Sequence, residues 1–380
     1  MTISRRGILA AGLGGGILIA GGGVWRAARM PQTAFGPWQL DPNPPTDVRL
    51  DAFRHAILAP NPHNRQPWEI RLVGDDAAMI TCDLGRRLPV TDPFDRQITI
   101  GFGTFLELAR IAAAERGYAM EIEPFPEGED PHALDRRPIA RLRFTQNPAV
   151  ARDPLFDQIT RRRSNKEEYD LSKPVSQSDL AKVVGDGDTG TIDPEWIAAL
   201  REQIVAGIDK EITTPKAYME SVNLMRIGAA EVDANPDGIS LNGPMFEIGK
   251  MLGLVDRAAL AEMDGAVFKQ GLSGLRATYG SIPALFWIVT PGNSRVEQLE
   301  AGRRYVRANL RATALGLGMH PMSQCLQEYE EVAPMYARVH ELLGATGKQR
   351  VQMIARIGYG PAVGPAPRWP METHLQAPVT

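Results

Sequence analysis

Cysteine is nearly absent: Cys82 and Cys325 are the only two in 380 residues, too few for a disulfide framework. Neither belongs to a Cys-x-x-Cys pair or a Cys/His metal spacing, so both are expected as small core residues. The six histidines (His55, His63, His132, His320, His340, His374) are likewise scattered without metal spacing. The chain has no Gly-x-Gly-x-x-Gly in a dinucleotide-binding context, no Walker loop, no His-Glu-x-x-His and no Gly-x-Ser-x-Gly. Hydrolase and metalloenzyme readings lose most of their support. A long basic stripe is missing too. The formal net charge is -3, and the short arginine clusters are interleaved with acids, so no nucleic-acid partner is implied. What remains is an ordinary globular composition, 43% hydrophobic and 23% charged, long enough for one large or two ordinary domains with a sizeable core.

The N-terminus differs in kind. "MTISRRGILAAGLGGGILIAGGGVW" sets Arg5 and Arg6 before a charge-free run from Gly7 to Trp25. This resembles a twin-arginine export signal, with Ile8 and Leu9 as the apolar residues after the pair. Two arginines before an apolar helix also suit an ordinary secretory signal or a membrane anchor. Seven glycines beyond Gly7 (Gly12, Gly14, Gly15, Gly16, Gly21, Gly22, Gly23) make the run weakly apolar and weakly helical for a span, which favours the twin-arginine reading. No clean A-x-A cleavage site follows, so a retained anchor stays open. The expected location is the periplasm or another exported site, reached in the folded state, with the export machinery as a partner. Such cargo often folds around a cofactor in the cytoplasm.

Residues 1–29 are thus read as signal or anchor, and the Pro-rich residues 30–46 as an extended linker. Helical spacing in "VRLDAFRHAIL", strand-like "EIRLV" and "AMITCDL", the long helix "GFGTFLELARIAAAERGY" and the strand "IARLRF" then alternate over residues 47–150. Residues 151–380 repeat the scheme. "PLFDQITRRRSNKEEYD" reads as a helix ending in a basic turn, Ser176 and Asp179 as a capping pair, and Asp193 with Pro194 as a helix start. The strand "ALFWIVT", the helix "GRRYVRANLRATALGLG" and the strand "MIARIGYG" follow. The pattern is that of an α+β layered fold.

The two long helices superpose without gaps, Gly101 on Gly302, Arg110 on Arg311, Ala113 on Ala314 and Gly117 on Gly318. Ala-rich composition alone produces such a match; an internal duplication explains it better, each half forming one lobe. Residues 210–280 have no counterpart in the first half. They read as an insertion of short helices with flexible joints, either structural or a lid over a ligand site.

"RRRSNK", Arg161 to Lys166, packs four cations, a hydroxyl and an amide donor into six residues, a set able to hold a phosphate. Alone, such a stretch is more often a solvated helix terminus complementing the helix dipole. Together, "RRRSNKEEYD" and "APNPHNRQPW" resemble the nitroreductase family of flavin enzymes, which carry an R-x-S-x-K/R turn and a P-S-x-x-N-x-Q-P-W loop. In that family both motifs lie in one subunit, in the opposite order, with FMN between two subunits. Here they are divided between two halves of one chain, which is similar to the Acg-like FMN-binding branch. The tail "RIGYGPAVGPAPRWPMETHL" is similar to that branch's ending, and the likeness runs from about Asp47 to His374.

The resemblance implies a nitroreductase-like fold of two pseudo-symmetric lobes, each a mixed sheet flanked by helices. It implies one FMN per chain, in a monomer that mimics a homodimer. By the same resemblance Arg162 and Ser164, with Arg163 beside them, hold the flavin phosphate and ribityl chain, and Lys166 lies near the N1 and O2 side of the ring. Pro60, Asn61 and Pro62 reach the ring from the other lobe, Asn64 and Gln66 brace that loop, and Arg368 reaches the phosphate. Ser323 and Gln324 stand where nitroreductases commonly have Glu and Gly. The implied activity is FMN-dependent transfer of electrons through N5 to a small acceptor such as a nitroaromatic or quinone, with no protein nucleophile. The alternative is a non-catalytic or flavin-sequestering protein with a lid-occluded site.

Overall fold

A computed structural model describes residues 29–185 and 187–377. Arg5, Arg6 and the signal reading lie outside the described residues. Among those described, no helix is long and apolar enough to cross a membrane.

The first lobe begins with α1 (Val48–Ala56), capped by Asp47, whose side chain accepts from Arg49 N. Strands β1 (Trp68–Val73) and β2 (Ala77–Cys82) form a hairpin with Trp68 opposite Cys82. Then come α2 (Arg96–Glu115), β3 (Tyr118–Pro124) and β4 (Ala140–Gln146), giving the sheet order β1-β2-β4-β3. The second lobe has α3 (Gln177–Val184), capped by Ser176 as its spacing predicts, and β5 (Thr189–Thr191). The insertion comes next as α4 (Pro194–Thr213), α5 (Pro215–Leu224), β6 (Met225–Ile227), α6 (Ala229–Ala234), β7 (Ile239–Leu241), α7 (Pro244–Met251), α8 (Arg257–Ala261) and α9 (Ala266–Gly280). Strand β8 (Ala284–Thr290), α10 (Arg295–Ala314), β9 (Gly318–Pro321), α11 (Ala333–Leu342) and β10 (Arg350–Gly358) complete a sheet of order β5-β8-β10-β9.

The two sheets share one topology, and the architecture is the α+β arrangement of two lobes that the sequence implies. Neither sheet is mixed, however: every neighbouring pair within them is antiparallel. Strands joined by a crossover helix, β2 with β3 and β8 with β9, do run parallel, but β4 and β10 insert between them. The insertion occupies the position of the short β1–β2 turn and starts at Pro194, ahead of residue 210. Short β5 and β9, and β3, escape the periodicity reading. The expected helix before the basic turn is only a 3-10 turn, Phe156–Gln158. Beyond it the chain is extended because Arg162 turns inward and Asn165 N and Asp170 N bond to the Met319 and Tyr359 carbonyls.

Between the lobes, α2 and α10 approach at backbone contact. A Cβ on Gly103 would lie 2.0 Å from the Leu299 carbonyl oxygen, and one on Gly302 would lie 2.0 Å from that of Ile100. This reciprocity pairs Gly103, not Gly101, with Gly302. It also pairs Arg96 with Arg295 at the helix starts, and Gly117 (φ 72) with Gly316 (φ 71) just beyond the ends. The sequence superposition was therefore two residues out of register, because Ala-rich helices match in several registers and only the contact selects one. Both paired arginines are buried and cross to the other lobe. Arg96 donates to Glu328 at 2.9 Å and to the Gln352 carbonyl at 2.9 Å, while Arg295 donates to the Asp130 carbonyl at 3.0 Å and Thr99 Oγ1 at 3.2 Å.

Residues 30–46 are not a free extended linker. The Asp233 carboxylate in α6 accepts from the backbone N–H groups of Gln32, Thr33 and Ala34 at 2.9, 2.9 and 3.0 Å, and Trp38 is buried.

Substitution Gly302→Ala forces the helices apart and is expected to destabilise the protein by about 3 kcal/mol through overpacking. Thermal unfolding compared with Ala308→Gly, on the same helix, measures it.

Candidate functional site

The loop after α1 rests on α2 where α2 is thinnest. A Cβ on Gly101 would lie 3.2 Å from Asn61 Cβ and 3.3 Å from Pro62 Cδ, and Thr104 Oγ1 donates to the Pro60 carbonyl at 2.7 Å. Asn61 closes the loop on itself: Nδ2 donates to the Ala59 carbonyl at 3.1 Å and Oδ1 accepts from Gln66 N at 2.7 Å. His63, Asn64 and Gln66 all take left-handed backbone, φ 45, 52 and 50. Such residues cost on the order of 1 kcal/mol each and persist only where their surroundings impose them. Here the tail and the insertion do so. Asn64 Nδ2 donates to the Pro367 carbonyl at 2.9 Å, Gln66 Oε1 accepts from Trp369 N at 2.9 Å, and Gln66 Nε2 donates to the Pro236 carbonyl at 2.8 Å.

Directly behind the loop the structure gathers three arginines. Arg162, 2% exposed, donates to the Leu58 carbonyl at 3.0 Å and to Asn309 Oδ1 at 3.1 Å. Arg368, also 2% exposed, donates to the carbonyls of Ala59 at 2.9 Å and Leu58 at 3.2 Å, and to Asn64 Oδ1. Arg163 donates to the Thr160 and Arg162 carbonyls, both at 2.8 Å. Ser164 Oγ lies 3.5 Å from an Arg162 nitrogen. The Trp38 ring faces all three guanidiniums, with centroid distances of 4.6 Å to Arg163, 5.5 Å to Arg368 and 5.8 Å to Arg162.

No ion pair among the described residues involves Arg162, Arg163, Arg368 or Lys166. The Nε atoms of Arg162 and Arg368, and the Tyr305 hydroxyl beside Arg162, are buried without a partner. Burial pushes the Arg162 pKa down to about 10, with Arg163 adding repulsion. Arg368 is pulled well below the usual arginine value by burial, then by Arg162 and Arg163. Buried cations without a carboxylate partner, two of them with an orphaned Nε, suit an anion, and phosphate, with three acceptor oxygens, fits the set.

Lys166 lies toward the other end of the loop. Its side chain is accessible, yet enough protein surrounds it that desolvation, then Arg368, lowers its pKa. This is the condition of a cation in a cleft, and its charge reaches His63 and His320. The 3-10 turn Ser323–Leu326 closes this end, clamped against α4 where a Cβ on Gly207 would lie 2.6 Å from Cys325 N. Gln324 Oε1 is buried without a partner, and Gln324 faces Glu211 and Tyr279. Thus Pro60, Asn61, Pro62, Asn64 and Gln66 form one body with Arg162, Arg163, Ser164 and Arg368. Lys166, Ser323 and Gln324 border a second region beside His63 and the insertion.

Sequence reasoning missed Trp38, Asn309, His63, Ser221 and Glu211. A signal existed for Glu211, which continues the apolar stripe Leu200, Ile204, Ile208 of α4 with a carboxylate. Burial raises Glu211 to about 7, with Glu220 adding repulsion while Gln327, Ser221 and Gln324 bond to it.

No protein-family model matches the chain. A protein named "Putative NAD(P)H nitroreductase" from Mycobacterium tuberculosis is 26% identical over 337 residues, 83% of this chain and 90% of the relative. A second, "Putative NAD(P)H nitroreductase acg" from the same organism, is 36% identical over 86 residues, 23% of this chain and 26% of the relative. Among solved structures, a putative nitroreductase from Anabaena variabilis has 12% identity over 86% of this chain and 91% of its own, with a TM-score of 0.45. A nitroreductase with bound FMN from Bacteroides fragilis has 14% identity over 56% and 92%, with a TM-score of 0.31.

The two titrating groups of the cleft give opposite pH signatures. Glu211 binds its proton more tightly folded (about 7) than at its ordinary 4.5, so its stabilisation is complete below pH 4.5 and is lost as pH rises through 7. His63, lowered by burial from 6.5 to about 4, contributes stability above pH 6.5 that is lost as pH falls through 4. Relative to Glu211→Gln, the wild type is therefore expected to lose about 3 kcal/mol as pH rises from 4.5 past 7, read from Tm against pH.

Proposed function

We propose that the chain is an FMN-dependent oxidoreductase of nitroreductase type, acting on a small organic acceptor such as a nitroaromatic or quinone. The observation that carries this reading is the cluster of Arg162, Arg163 and Arg368, buried or half-buried, without a carboxylate and with two orphaned Nε atoms. The similarity to the M. tuberculosis relative named as an NAD(P)H nitroreductase supports it. Bound here, FMN would supply two-electron redox chemistry at N5. Arg162, Arg163 and Arg368, with Ser164, would hold its phosphate and ribityl chain. Lys166 would place positive charge where reduction puts negative charge, and the stiff backbone at Pro60, Asn61 and Pro62 would lie against the ring. Ser323 and Gln324 would border the acceptor side. An exported form would draw on a donor other than nicotinamide cofactors, which are scarce outside the cytoplasm.

One observation favours a closed, non-catalytic flavin site instead. The insertion is bonded to the loop through Gln66 to Pro236, through Gly238 N to the Asn64 carbonyl at 3.3 Å and through Arg65 to Asp237 at 3.3 Å.

Purified protein is expected to show a flavin absorption spectrum. Mixing with NADH, NADPH or a quinol should bleach it, and inertness to every donor selects the closed reading. Arg162→Met and Arg368→Met should each weaken FMN binding about 10- to 100-fold, the worth of a charge-assisted hydrogen bond. Colourless protein that titration with FMN does not load overturns the proposal.

We also propose that residues 1–29 direct export by the twin-arginine route, supported by the Arg5–Arg6 pair ahead of its charge-free run. An Arg5→Lys/Arg6→Lys double variant is expected to stay in the cytoplasm on cell fractionation; unchanged export overturns this.

A further inference from the structure

A second polar cluster joins the loop to the insertion, and the role inferred for it rests on the flavin reading for its acceptor. Glu211, on the last turns of α4, is 3% exposed. Its Oε2 accepts from Gln327 Nε2 at 2.7 Å, and its Oε1 lies 3.5 Å from the Ser221 hydroxyl oxygen, on α5, accepting from it when the carboxyl is ionised and donating to it when protonated. Ser221 Oγ lies 3.2 Å from His63 Nε2, which is itself 3.9 Å from Glu211 Oε1. His63 Nδ1 is buried with no partner, as are Gln324 Oε1, Gln327 Oε1 and the Tyr329 hydroxyl. Four orphaned polar groups around one buried carboxyl are costly unless a polar ligand completes them. His63 is also the residue that the loop holds at a left-handed φ of 45, beside Lys166.

We propose that His63, Ser221 and Glu211 form a relay that delivers one proton to the acceptor as it is reduced. The His63 Nδ1–H bond breaks as a new O–H or N–H bond forms on the acceptor. Nε2 takes the hydroxyl proton of Ser221, whose oxygen takes the carboxyl proton of Glu211. No electron moves along the relay, and the two electrons gained by the acceptor are those of the reduced cofactor. The carboxylate left behind is held by Gln327 and Ser221 and regains its proton from solvent. His63 is the catalytic group, since it meets the acceptor; Ser221 and Glu211 act through it.

The surroundings suit a group that passes a proton and does not keep it. Burial, with Lys166 and Arg65 as facing cations, holds the imidazole neutral down to about pH 4. Burial and Glu220 keep Glu211 about half protonated at pH 7, with Tyr279 and Tyr329 as its neutral neighbours. The Ser221–Glu211 contact is the longer of the two links at 3.5 Å, against 3.2 Å for Ser221–His63.

The test uses full-length protein carrying ¹⁵N-histidine. The His63 signals are expected to report an Nδ1–H tautomer and to move with a midpoint near pH 7 as Glu211 ionises. That movement disappears in Glu211→Gln and is damped in Ser221→Ala, which removes one hydroxyl and serves where the first variant does not fold. On flavin-loaded protein, acceptor reduction should decline above pH 7; Glu211→Gln should lower it about 100-fold and abolish that decline. Imidazole signals and a pH limb indifferent to both variants, in protein that binds and reoxidises flavin, overturn the relay and leave the cofactor reading standing. Protein that binds no flavin overturns both.

Discussion

Everything at the site depends on how closely two helices approach. With hydrogen in place of a side chain at Gly103 and Gly302, α2 and α10 meet at backbone contact, each glycine against a carbonyl of the other helix. Two lobes are thereby held at one distance and one angle. Arg96 and Arg295, placed at helix N-termini where the dipole disfavours a cation, are compensated by acceptors of the opposite lobe. The same helices carry the functional residues: α2 seats the loop at Gly101 and Thr104, and α10 supplies Asn309 to Arg162.

On that frame stability is spent locally. Three guanidiniums share backbone carbonyls and one indole face where carboxylates would neutralise them at lower cost. Three non-glycine residues hold left-handed backbone in the adjoining loop. Both features are disfavoured in isolation, and the anionic, flat ligand proposed above would compensate both. The residues imposing the strained loop come from the tail and the segment around Pro236. The site is therefore a property of the whole chain and not of either lobe.

Much of the site was legible in the chain. The cations of Arg161 to Lys166 and the stiff polar loop from Pro60 to Gln66 stood out in the chain through their joint resemblance to flavin-enzyme motifs, and the structure brings Arg162 and Arg368 against the carbonyls at the start of that loop. Asn64 and Gln66 do brace the loop, though against the tail and the insertion. Trp38, inside a Pro-rich stretch that reads as linker, gave no periodic signal. Glu211 broke the polarity of its helix face, yet a lone carboxylate does not reveal its neighbours. His63 was one of six scattered histidines, and nothing local marked it.

Local chemistry alone set the helix starts at Asp47, Ser176 and Asp193, the strands around Trp68 and Leu285, and the α+β class. These depend on capping, φ restriction and side-chain period, which act within a few residues. Tertiary structure alone decided the register of α2 on α10, the antiparallel insertion of β4 and β10, the unwinding of the segment before Arg162, and the meeting of His63, Ser221 and Glu211. Those outcomes turn on contacts between residues far apart in the chain, where several pairings satisfy composition and only one satisfies the backbone clearance and the buried hydrogen bonds together.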